Sequence, residues 1–203
     1  SILRSPGFPQ GLMINLAVMA SHEGTSLQSV IDYLSSKATQ CRLVLVISNN
    51  RKSGALARAE KANIPTRHIS TLTHGSRSLA DQAIAKTLID ESIDWLLLLG
   101  YMKPVTAPIL EALPKRVINV HPSLLPKFGG KGFYGRFVHK AVLDSGDTVT
   151  GATLHHVSEI YDRGQVISQK EVPVKRQDEI EVLETRVKKA EGALLREFLD
   201  TLN

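Results

Sequence analysis

Asn119 and His121 stand two residues apart at the end of a β-branched run, Arg116-Val-Ile-Asn119-Val-His121, and Pro122 follows at once. Proline lacks the N–H that a central strand needs, so the extended run stops there. In an extended strand, residues i and i+2 project to the same side. The amide and the imidazole therefore face one centre. The amide can donate to an oxyanion as it develops, and the imidazole can give or take a proton near neutral pH. A strand end closed by a polar cap would give the same pair with no chemistry attached.

Two further segments carry polar groups at strand ends. Ser21-His-Glu-Gly24-Thr25-Ser26-Leu follows a first apolar strand and opens a helix. Backbone N–H groups at a helix start, helped by hydroxyls, form a site for a phosphate dianion, and Gly24 lets the chain come close to it. Plain N-capping by Thr25 or Ser26 would read the same way. The loop lacks the Gly-Lys-Ser/Thr ending of a Walker motif and the GxGxxG of a dinucleotide fold. Gly100-Tyr101-Met102-Lys103-Pro104-Val105 follows a second apolar run. In open α/β sheets, ligands bind beyond the carboxyl ends of the strands. All three segments fall on that edge.

The elements that must position them alternate. Strands are expected over 14–20, 43–48, 66–69, 95–99 and 116–120. Helices are expected over 27–34, 55–62, 79–91 and 107–113, with Leu79, Ile84 and Leu88 mostly inward. Trp95-Leu-Leu-Leu-Leu99 has no polar alternation, as befits a strand buried on both faces. Segments 149–157 and 166–174 read as an antiparallel pair joined by the turn at Asp162-Arg-Gly164. The expected fold is α/β, an open, mostly parallel twisted sheet with helices on both faces and antiparallel strands added in the C-terminal half. Ile180, Leu183, Val187, Leu194 and Phe198 form an apolar stripe on a last helix, and Glu191 falls on it. A carboxylate on such a face needs a partner, and Lys188 at i−3 is a structural candidate.

At 203 residues the chain reads as one domain over 13–203, with residues 1–12 an added or non-essential leader. The single cysteine, Cys41, excludes an internal disulfide and a cysteine-based zinc cage, which points to the cytoplasm. It reads as a half-buried small residue before a strand. No apolar run is long enough to span a membrane. Net charge is +5, but the basic residues are scattered and aromatics make up 5%, so a nucleic-acid partner is not expected. A small anionic substrate fits better.

The run Asn119-Val-His121-Pro-Ser-Leu-Leu-Pro126, with Gly151-Ala-Thr-Leu-His155 and Asp162-Arg-Gly-Gln-Val-Ile downstream, resembles the folate-dependent formyltransferases. The likeness runs from about Ile14 to about Phe198. It implies transfer of the formyl group of 10-formyltetrahydrofolate to the amine of a phosphorylated ribosyl-amine, 5′-phosphoribosylglycinamide, in purine biosynthesis. It implies no metal, and a monomer or homodimer. Asn119, His121 and Asp162 would be catalytic, with His155 in support. On its own, Asp162 is a common turn residue. Gly24, Thr25 and Ser26 would hold the acceptor's phosphate, Lys188 its phosphate or ribose region, and Glu191 its glycinamide end. The pterin would meet the backbone of Lys103 and Val105, with Met102 packing nearby and Ser158, Glu159 and Tyr161 closing from the other side. Arg77 would meet the folate carboxylates, although a lone surface arginine is often just solvated.

Several positions depart from the family pattern. His22 stands in place of a glycine, Ser26 in place of an asparagine, and Lys103 in place of an arginine. Glu23 adds a negative charge beside the phosphate loop. The segment 127–135 is longer and richer in glycine than usual, which suits a lid. Rival expectations are hydrolysis of the formyl folate, formylation of another amine, and, in a different class, a non-catalytic nucleotide-binding domain.

Overall fold

The computed structural model describes residues 12–160 and 162–203. Apart from Leu12, the expected leader lies outside the described residues, as does Tyr161. Seven strands form one sheet in the order β3-β2-β1-β4-β5-β6-β7. The strands β1 (Ile14–Ala20), β2 (Cys41–Ser48), β3 (Thr66–His68), β4 (Trp95–Leu98) and β5 (Val117–His121) run parallel. The last two, β6 (Val149–His156) and β7 (Val166–Pro173), are antiparallel. This is the expected class.

Alternating strand residues feed two cores. Leu16 and Val18 pack on one face with Leu27 and Val30 of α1 (Thr25–Ser36), with Ala55 and Ala59 of α2 (Gly54–Lys61), and with the last helix. Ala17 and Met19 pack on the other face. The short α3 (Thr71–His74) precedes α4 (Arg77–Asp90), which buries Ala80, Asp81, Ile84, Ala85 and Leu88 on that second face together with α5 (Ala107–Ala112). Leu79 does not point inward: it is 53% exposed, because the buried stripe runs through the smaller Ala80 one residue along. Cys41 is fully buried as the first residue of β2, rather than half-buried ahead of it.

Two helices were not anticipated, the four-residue α3 and α6 (Arg136–Ser145). The second, α6, buries Val138, His139 and Val142 and ends at Gly146 in the left-handed region. Val138 and Val142 at i, i+4 with a glycine stop were its sequence signal. α7 (Ile180–Thr201) crosses the first core, where Phe198 meets Trp95 edge-on at 5.1 Å between centroids. Among the described residues, no helix is long and apolar enough to cross a membrane.

Candidate functional site

Val117, Asn119 and His121 share one face of β5, while Ile118 and Val120 pack into the core with α7. Antiparallel pairing sets Asn119 directly opposite His155 on β6. The Asn119 amide donates from Nδ2 to His155 Nε2 at 3.0 Å. His155 Nδ1 lies 3.0 Å from the carbonyl of His156, and a carbonyl only accepts. The proton therefore sits on Nδ1, and Nε2 offers its lone pair to Asn119. Burial holds the His155 imidazole below its ordinary pKa, against the opposing pull of the His156 carbonyl and Asp162. A neutral ring thus fixes which end of the Asn119 amide is nitrogen, and one N–H of that nitrogen remains for the cleft.

His121 is held from its far side. Its Nε2–H donates to the carbonyl of Phe128 at 2.8 Å, which turns Nδ1 toward Asp162 Oδ1 at 3.6 Å. That separation suits charge attraction and is too long for a direct hydrogen bond. The same oxygen lies 3.8 Å from His155 Nε2. Asp162 Oδ2 accepts from the Gly130 N–H at 2.8 Å. Asp162 sits in the left-handed region (φ 55) with its side chain 9% exposed. The turn behind it needs Gly164, where a Cβ would lie 1.6 Å from the His156 carbonyl oxygen. The backbone of segment 127–135 therefore touches both His121 and Asp162, which ties the glycine-rich loop to the centre.

In the loop after β1, Gly24 caps the start of α1 with φ 75 and no side-chain hydrogen bond. The hydroxyls of Thr25 and Ser26 are thus free of the capping role. Gly24 is required by the fold as much as by any ligand, because a Cβ there would sit 2.7 Å from Ala55 Cα of α2. The carbonyls of His22 and Glu23 are held by Ala55 N–H (3.0 Å) and Arg58 Nε (2.7 Å), with both side chains exposed.

The loop after β4 is braced at three points. Buried Ser21 accepts from the Met102 N–H at 2.9 Å. Arg77 donates to the Pro104 carbonyl at 3.0 Å. Buried Asp81 accepts from the Thr106 N–H and hydroxyl at 2.9 and 2.6 Å. Arg77 is thus a brace for this loop as well as a cleft residue. Among the described residues nothing bonds the backbone of Lys103 or Val105, so these groups stay open to pair with a flat heterocycle edge.

All of this meets in one cleft of about 730 Å³, within the usual range for small-molecule sites. Asn119, His121, Asp162 and His155 line it. So do Gly24, Thr25, Ser26, Lys188 and Glu191, and, on the other flank, Arg77, Met102, Lys103, Val105, Ser158 and Glu159. On α7, Lys188 pairs with Glu184 at 3.6 Å rather than with Glu191. Loss of hydration pushes the Glu191 carboxyl up to about 7, with Lys188 opposing the rise. Sequence reasoning missed Glu184, His139, Phe133 and Tyr134, which also line the cleft. Their signals were faint: Glu184 sits in a charge-rich run that reads as solvated, and the other three lie in or before the unread helix α6. His156, next to His155 in the chain, is absent from the lining. Among the described residues, no group of three or more His, Cys, Asp or Glu could hold a metal.

A family model described as formyl transferase matches residues 14–199. The trifunctional purine biosynthetic protein adenosine-3 of Bos taurus is 42% identical over 87% of this chain, which spans 17% of that protein's length. The chloroplastic phosphoribosylglycinamide formyltransferase of Arabidopsis thaliana is 35% identical over 92% of this chain and 64% of its own. The crystal structure of glycinamide ribonucleotide transformylase 1 from Symbiobacterium toebii matches with a TM-score of 0.87 and 33% identity, covering 98% of this chain and 93% of that one.

Proposed function

Because the chain belongs to the formyl transferase family, we propose that it transfers the formyl group of 10-formyltetrahydrofolate to the primary amine of 5′-phosphoribosylglycinamide, a step of purine biosynthesis. The observation that carries this reading is the meeting of Asn119, His121 and Asp162 in a cleft whose two flanks suit two different ligands. One flank, from the start of α1 to Lys188 and Glu191, suits an anionic ribosyl-amine. The other, the braced loop 100–105, suits the pterin of the folate, whose N10 carries the formyl carbon. The unengaged backbone of Lys103 and Val105 fits a heterocycle edge with alternating donors and acceptors.

Asn119 donates its free N–H to the formyl oxygen as the amine attacks and negative charge gathers there. His121 stabilises the same oxygen through Nδ1, because Nε2 is held by Phe128. Asp162, 3.6 Å away, supports positive charge on that ring and orients a water that carries the proton from the amine toward the leaving nitrogen. His155 keeps the Asn119 amide in register. These residues need neither a metal nor a covalent enzyme intermediate. The net charge of +5 fits two anionic small molecules, and the protein acts as a monomer or homodimer in the cytoplasm.

The test is an assay of purified protein with 10-formyltetrahydrofolate, with and without the ribonucleotide. Formylated ribonucleotide is the expected product. Loss of formyl from folate at the same rate without the amine would instead assign hydrolysis. Binding of nucleotide with no turnover would assign a non-catalytic domain.

A further inference from the structure

His139, on α6, is 2% exposed and lines the cleft, yet neither of its ring nitrogens has a hydrogen-bond partner among the described residues. Nδ1 is fully enclosed and unpaired. Nε2 is not enclosed in this way, so it is the nitrogen that opens on the cleft. A buried, unpaired polar ring is unfavourable, and an apolar side chain of the same size would suit a purely structural position better. We infer that His139 is a further recognition residue for the acceptor, its Nε2 hydrogen-bonded to a ribose hydroxyl. This rests on the function proposed above.

The chemistry selects a hydroxyl over the acceptor's other groups. Burial, the largest influence on the ring, lowers its pKa to about 4, with Glu184 pulling upward and Lys188 and His121 downward. The ring is therefore neutral at physiological pH and holds no phosphate by charge. An enclosed unpaired acceptor is more tolerable than an enclosed unpaired N–H. The proton accordingly sits on Nε2, facing the ligand. A hydroxyl accepts that proton's hydrogen bond and can donate its own to a carboxylate. Glu184, which lines the same cleft from α7, is such an acceptor. The neighbouring positions fit: Lys188 is one turn along from Glu184 and ion-pairs with it at 3.6 Å, so a phosphoribosyl group meets a cation, a carboxylate and a neutral imidazole together.

Calorimetry tests this with 5′-phosphoribosylglycinamide and its 2′-deoxy and 3′-deoxy analogues, without folate. His139→Leu is expected to weaken the parent ribonucleotide about three- to tenfold, the factor one neutral hydrogen bond carries. One of the two deoxy analogues should bind the unaltered protein weaker by the same factor, and should bind the leucine variant no worse than the parent does. The inference is overturned if the leucine variant binds all three ligands like the unaltered protein, or if the two losses multiply. Equal binding of all three by the unaltered protein overturns it without any variant, which covers a leucine variant that does not fold. Failure of the unaltered protein to bind the ribonucleotide at all removes the proposed function too. Normal binding with an indifferent leucine variant removes this inference alone.

Discussion

Asn119→Ala is the sharpest perturbation of the proposed chemistry. The substitution removes one donor to the formyl oxygen. Losing such a donor typically lowers turnover by about 10²–10³, or about 2.7–4 kcal/mol of transition-state stabilisation. It also strips the partner from His155 Nε2, 3.0 Å away in a ring whose side chain is 3% exposed. An unsatisfied buried acceptor costs about 1–3 kcal/mol of stability, a loss that a domain stable by about 5–15 kcal/mol survives. The expected result is a folded protein with a lower melting temperature, an unchanged Kd for the folate, and a kcat at least a hundredfold down with both substrates saturating. Asn119→Asp should fare worse than alanine, because its carboxylate would face both the His155 lone pair and the developing negative charge. A turnover within about threefold of the unaltered protein in the alanine variant would refute the assignment, whatever happened to stability.

The other expectations concern the parts that hold this centre. Ser21→Ala removes the acceptor for the Met102 N–H at 2.9 Å; steady-state kinetics should show the KM for folate raised about three- to tenfold, the worth of one hydrogen bond, with kcat little changed. Gly164→Ala would force the turn behind Asp162 away from the His156 carbonyl; thermal melts and turnover should fall together, and a variant matching the unaltered protein in both would contradict the geometry. The Glu191 carboxyl, raised to about 7 by burial, keeps its proton in the folded state between its ordinary value of 4.5 and about 7, while the unfolded chain has lost it. Its contribution therefore favours folding at low pH and fades as pH rises through that window. Denaturant titrations at pH 5 and pH 8 should show this loss in the unaltered protein and not in Glu191→Gln.

Most of the framework was legible because its signals are local. The parallel strands lack polar alternation, the helices between them carry apolar stripes, and Pro122 marks the end of β5. That Asn119 and His121 share a face followed from period 2, and that they stand at a strand end followed from Pro122. What the sequence could not convey was cross-strand register. The bond between Asn119 and His155 depends on which β6 residue lies opposite β5, and the single-residue shift between Leu154 and His155 in the pairing with β7 is invisible in composition. Leu79 misled for a related reason: a large apolar residue outweighed the small Ala80 that lies inward. His139 was hidden more deeply, in a helix of 10 residues behind a glycine-rich loop.

The arrangement separates reaction from recognition. The groups proposed for the reaction come from β5, β6 and the turn at Asp162; Asn119 is held by the His155 ring, and the others by main-chain contacts: Phe128 on His121, Gly130 on Asp162, His156 on His155. Main-chain contacts tolerate changes in side-chain identity. The ligand-facing groups come from elsewhere, from the start of α1, from α6 and α7, and from the loop after β4. Under the proposed function, the departures at His22, Glu23, Ser26 and Lys103 are expected to act on affinity for one ligand or the other, whereas a change that shifts the backbone at 128–130 acts on His121 and Asp162 at once. The glycine-rich segment is therefore the place where altered loop geometry would reach turnover directly, through two hydrogen bonds that involve none of its side chains.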